Sequence, residues 1–220
     1  MKMQLAILAW VTSQALFTVG ACGETPRRLE LDVNWIIDSG WFGTGENPNV
    51  TLNGQDSLSV GLKALVKQEI DGKVGSVLIM QDRGGGLVGY EKLADNEYKI
   101  LLARRDSKGE LSRNVRQFLK TVIFLGGIDK VEKARLEFIN GEIDQMSAIR
   151  RLLKNDYLIM KKAEEFGRNV WAQFCKDNLI DPRLNEWITI GDQSFEKWMQ
   201  SDTGKGRSAA WENEINANWK

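Results

Sequence analysis

The chain has 220 residues, with 30 basic and 30 acidic side chains, no histidine, two cysteines and three prolines. Its length and 42% hydrophobic content suit one folded domain with a core of useful size. A net charge of zero leaves no electrostatic footprint for nucleic acid, and the absence of histidine excludes Ser-His and Cys-His dyads, histidine zinc sites and histidine-ligated haem.

The N-terminus carries the clearest signal. Lys2 precedes an apolar stretch from Leu5 to Val19, broken by Thr12, Ser13 and Gln14. Small residues Gly20 to Gly23 follow, then the polar run Glu24 to Arg28. That layout predicts a secretory signal peptide over 1–21, too short and too interrupted for a membrane span. Its removal takes Lys2 alone from the charged set, leaving 29 basic and 30 acidic residues. Val19-Gly20-Ala21-Cys22 resembles a bacterial lipobox. The resemblance implies that Cys22 becomes the lipidated first residue, so that the only membrane attachment is a lipid anchor. Val19 and Ala21 equally suit ordinary signal peptidase. Cys22 is then free to pair with Cys175 in an oxidising compartment.

Residues 22–220 read as one α+β domain, with a sheet-containing half over 22–126, a helical half over 127–200 and a polar tail over 201–220. Leu29, Leu31, Val33 and Trp35 alternate with polar residues and predict a strand. Residues 43–54 read as loop, and Asn49-Val50-Thr51 in it formally matches a glycosylation acceptor. Leu58, Leu62, Leu65, Val66 and Ile70 predict a helix capped by Asp56 or Ser57. Strands are expected over 74–80 and 98–103, joined by a glycine-rich loop, giving a small mixed or antiparallel sheet. Val115, Phe118, Leu119 and Val122 define the next helix. Helices through Val131–Phe138 and Ile143–Leu153 follow, with Asn140-Gly141 as a stop between them. An amphipathic stripe then steps from Tyr157 to Phe174. Beyond Asp181-Pro182 a short helix spans Phe195 to Met199, and 201–207 reads as a polar loop.

Few motifs carry chemistry. Gly84, Gly86 and Gly89 satisfy the dinucleotide-binding spacing, but no helix follows them to hold a pyrophosphate, so the segment reads as a loop between strands. Ser194 and Lys197 stand in S-x-x-K register, yet the companion elements of serine acyltransferases are missing, and Ser194 reads as a helix cap. Gly204-Lys205-Gly206-Arg207 lacks the P-loop pattern. Two distant cysteines and the lack of a calcium-loop spacing give no metal site, and no cofactor is expected.

Tryptophan is the anomaly: five of the eight lie in the last 50 residues, at 171, 187, 198, 211 and 219. Trp171, Trp187 and Trp198 suit a helical core, whereas Trp211 and Trp219 in the polar tail are expected to be exposed. Trp187, Trp198, Trp211 and Trp219 are the candidate binding residues, for an envelope protein or a glycan. The expected function is a non-enzymatic exported protein of the bacterial cell envelope. The alternative is a cell-wall or polysaccharide hydrolase using paired carboxylates, such as Glu186 with Asp192 or Glu196, beside a tryptophan-lined cleft.

Overall fold

A computed structural model of the chain describes residues 33–43, 50, 52–70, 74–81, 88–94, 97–104 and 111–219. The predicted export segment, Cys22, Asn49, Thr51, Gly84 and Gly86 lie outside them.

The first described element is a helix, α1 (Val33–Asp38), where alternation predicted a strand. Val33, Ile36 and Ile37 are its buried residues, and their spacing of three and four is the helical period. Trp41 and Phe42 follow in a turn that α3 (Leu111–Gly126) secures. Asn114 Nδ2 donates to the carbonyls of Trp41 and Phe42 at 3.4 and 3.0 Å, and Trp41 Nε1 donates to Ala103 at 3.1 Å. Helix α2 (Ser57–Ile70) is as expected, and Asp56 caps it by accepting from the Ser59 amide at 2.7 Å.

The sheet has three strands in the order β1-β3-β2, formed by β1 (Val74–Gln81), β2 (Val88–Ala94) and β3 (Glu97–Arg104). The central β3 runs parallel to β1 and antiparallel to β2, so the sheet is mixed. β2 occupies part of the segment expected to be loop. Gly89, the last of the three spaced glycines, is inside this strand opposite Leu101, which confirms that no helix follows them. Tyr90 fixes the sheet to α3 by packing 5.5 Å from Phe124, ring to ring.

The remainder of the described chain is helical, making the fold α+β. Helix α4 (Ile128–Ile139) ends at Asn140, with Gly141 left-handed at φ +73°. Helix α5 (Gln145–Phe166) is capped by Asp144, passes through a π-helical turn over Gly167–Trp171 and continues as α6 (Ala172–Asp177). The π turn is tied to a close approach: a Cβ on Gly167 would stand 2.7 Å from Trp187 Cε3. A 3-10 turn (Leu184–Glu186) and α7 (Phe195–Met199) follow, with Ser194 capping α7 through the Lys197 amide, as read from the sequence.

The expected polar tail is instead helix α8 (Asp202–Asn218), started by Ser201, whose hydroxyl accepts from the Gly204 amide at 3.2 Å. Trp211, Ile215 and Trp219 recur every fourth residue and are all buried, so the segment has one apolar face despite its polar composition. α5 is the hub, packing against α3, α4, α7 and α8. Buried side chains from both halves join in a single core. Among the described residues no helix is long and apolar enough to cross a membrane.

Candidate functional site

The tryptophans come first because the expected binding surface rested on them. Trp187, Trp198, Trp211 and Trp219 are 3%, 1%, 5% and 7% exposed. Trp211 and Trp219 are therefore not exposed, because α8 turns their shared face inward. Each ring has its own core contact. Trp187 stacks on Trp171 at 5.5 Å and Trp198 packs on Tyr157 at 5.7 Å. Trp219 meets Phe138 at 6.2 Å, and Trp211 donates its Nε1–H to Asp156 at 2.7 Å. The four do not converge on one cleft, and none offers an open face on which a sugar could stack.

Cys175 is a free thiol with 0% exposure, and burial, with Asp181 adding to it, pushes its pKa up to about 11. Such a thiol is protonated and inert at neutral pH.

Polar chemistry is concentrated along α5, which holds α8 through Asp156 and the 189–193 loop through Tyr157, Lys161 and Glu164. Asp156 sits on the buried side of α5. Its Oδ2 accepts from Arg207 Nε and Nη2, both at 2.8 Å, and from Trp211. Burial pushes the Asp156 carboxyl above the usual aspartate range, while the Arg207 guanidinium and the Trp211 hydrogen bond oppose that push. Glu164, also buried, accepts from the amides of Thr189 at 2.6 Å, of Gly191 at 3.2 Å and of Ile190. Tyr157 donates to the Gln193 carbonyl at 2.7 Å, and Lys161 donates to that of Gly191. Side chains of α5 thus hold the 189–193 loop in place.

Arg116 of α3 reaches the residues just before that loop. It pairs with Glu186 at 3.0 Å and lies 6.0 Å from the Trp187 ring centroid. One turn later stands Lys120, whose pKa is lowered by burial first, then by Arg116 and Arg207. Glu186 also faces Arg183 at 4.0 Å, whereas Glu196 pairs with Arg150 at 3.8 Å. These two carboxylates of the candidate hydrolytic pair are thus committed to different arginines.

Among the described residues, two open grooves stand out. One, of about 340 Å³, is lined by Ile143, Ser147, Arg150, Arg151, Lys154, Phe195 and Glu196. A larger groove, of about 630 Å³, lies between β2 and α4, with Lys92, Tyr98, Glu132 and Leu136 among its walls. No tryptophan lines either groove. Among the described residues no cluster of three or more acidic, cysteine or histidine side chains could hold a metal ion.

Sequence reasoning missed Asp156 and Glu164. The signal for Asp156 was present: it continues the spacing Ile149, Leu152, Leu153 on the buried face of α5, where an acid needs a cation. Its partner Arg207, fifty-one positions away, has no such mark. No family model matches the chain, and neither a curated protein nor a solved structure matches it.

Proposed function

We propose that the chain is an exported protein of the bacterial cell envelope that works by binding a protein partner and has no catalytic activity of its own. The observation that carries the binding half is the groove between β2 and α4. Its wall residue Leu136 is 57% exposed, and Ile139, one turn further along α4, is exposed as well. Exposed apolar side chains on α4, beside a concave surface walled mostly by charged residues such as Asp129, Lys133 and Glu142, suit a protein better than a small apolar substrate. Export rests on the Lys2–Ala21 layout, and the lipid anchor on the residues before Cys22.

Because Trp187, Trp198, Trp211 and Trp219 are buried, we read the partner as a protein rather than a glycan. Their burial also leaves the carboxylate hydrolase without the tryptophan-lined cleft that motivated it.

The test is the intact mass of the protein isolated from its native host without reductant. The expected mass begins at Cys22 and carries acyl chains. A mass that retains residues 1–21 overturns export. A mass without lipid, two hydrogens short of the reduced sample, replaces the anchor by a Cys22–Cys175 bridge.

A further inference from the structure

The two grooves adjoin. Glu137 of α4 is a wall of the larger one and bonds to Arg151 of α5, a wall of the smaller. Along the chain, Asn140 and Glu142 line the larger groove and Ile143 the smaller, so the turn between α4 and α5 is their common edge. Their charges are opposite. Arg150, Arg151 and Lys154 are the cations of the smaller groove and Glu196 its one acid, whereas the larger sets Asp129, Glu132, Glu137 and Glu142 against Lys92 and Lys133.

Apolar side chains gather at the same edge. Of the seven large hydrophobic residues exposed among the described ones, Leu136, Ile139 and Met146 bracket the turn. Met146 precedes Arg150 by one helical turn and Lys154 by two, which puts it on their face of α5, and Leu136 stands one turn beyond Glu132 on α4. An exposed apolar strip with charge on both sides has the layout of a protein interface, apolar at its centre and polar at its rim. The basic side chains remain available to a partner. Arg150 meets Glu196 only at 3.8 Å, with both side chains more than half exposed, and an ion pair of that kind contributes little.

A basic and an acidic half lying side by side are what a two-fold axis makes self-complementary. Rotation about an axis through their common edge sets each half of one copy against the opposite half of the other, and the apolar strip against itself. One surface thus matches both charges at once, and the complementary fields favour that register over the reversed one. We infer that the chain docks on a second copy of itself across the α4–α5 turn, the groove of Arg150 and Lys154 in each copy seated on that of Glu132 and Glu142 in the other. This rests on the reading of the β2–α4 groove as a docking surface, and names its partner.

Sedimentation equilibrium of the mature protein, in density-matched detergent, should show a reversible dimer at micromolar concentration. Raising sodium chloride from about 0.05 to about 0.5 M should weaken it at least about threefold. Arg150→Glu with Lys154→Glu reverses one groove, and Glu132→Lys with Glu142→Lys reverses the other. Each double variant should dimerise at least about tenfold more weakly than the parent protein. An equal mixture of the two should recover a dimer with one chain of each, because opposite charges then meet at both contacts. A parent protein that stays monomeric, a dimer that either double variant leaves intact, or a mixture that stays monomeric overturns the self-docking. So does growth into filaments, the product of a head-to-tail contact. The mass of the adduct trapped in cells by a short cross-linker tells this failure from that of the groove itself. An adduct that needs Leu136 but does not weigh two chains keeps the groove and assigns it another protein, and the lack of any adduct that needs Leu136 removes both.

Discussion

A carboxylate on the buried face of a helix must find a cation or keep its proton. Asp156 has found Arg207, and the pair is doubly bonded at 2.8 Å. Replacing Arg207 by methionine keeps most of the aliphatic stem and strands the acid, which should cost about 3–5 kcal/mol near neutral pH. The pH dependence of that loss is specific. Burial raises the Asp156 pKa, and the substitution removes the guanidinium that opposes the rise. The folded variant therefore binds the proton more tightly than the unfolded chain, whose aspartates titrate at about 3.9. Stability from this group is fully present below that value and is lost as pH rises through the higher folded pKa. Urea unfolding should show the deficit of Arg207→Met against the parent protein largest at about pH 7 and shrinking towards pH 4. A deficit independent of pH would mean that Arg207 acts through packing rather than charge. Asp156 itself was legible, because it interrupts an apolar stripe at helical spacing. The identity of its partner depends on the docking of α8 and is set by the tertiary fold.

The same dependence on neighbours decides which elements could be read in advance. Helices α2 to α5 were plain because their apolar residues recur at three and four with turn residues between them. Strand β2 was not, since Glu91, Lys92 and Leu93 are all exposed and give no period-two contrast. Its pairing with β3 makes it a strand. α1 was misread because Leu29 to Trp35 fits alternation as well as Val33, Ile36 and Ile37 fit a helix. α8 was hidden by two glycines in a polar setting, although Trp211, Ile215 and Trp219 already carried its period. Those glycines make opposite predictions. A Cβ at Gly204 would lie 2.2 Å from the Trp198 carbonyl oxygen, which belongs to backbone and cannot rotate away. A Cβ at Gly206 meets nothing within 4 Å. Gly204→Ala should therefore destabilise by about 2 kcal/mol or more. Gly206→Ala should stabilise by about 0.5–1 kcal/mol through helix propensity and a less free unfolded chain. Thermal midpoints moving in the same direction for both would refute the tight seating of α8 on the end of α7.

At the scale of the whole molecule, the inward face of each long helix is spent on the core, so a partner must use what is left outside. That separates the C-terminal tryptophans 171, 187, 198, 211 and 219, which are enclosed, from Leu136, which is 57% exposed on the wall of the β2–α4 groove. Val60, at 53% exposed on α2, is an internal control of matching chemistry that lines neither described groove. Arginine at either exposed position should change stability by no more than about 0.5 kcal/mol. The effect on binding should differ. An arginine in place of Leu136 removes the exposed apolar contact and adds bulk where a partner must pack, and truncating or obstructing a central contact commonly costs about 2 kcal/mol or more and shortens the lifetime of a complex. In cells treated with a short cross-linker, a discrete adduct in the envelope fraction should survive Val60→Arg and be lost in Leu136→Arg, with the protein present at equal abundance. If both variants keep the adduct, the groove is not the docking surface. If both lose it, the partner senses the charge of the whole chain rather than one face. Only the split result assigns recognition to the groove between β2 and α4.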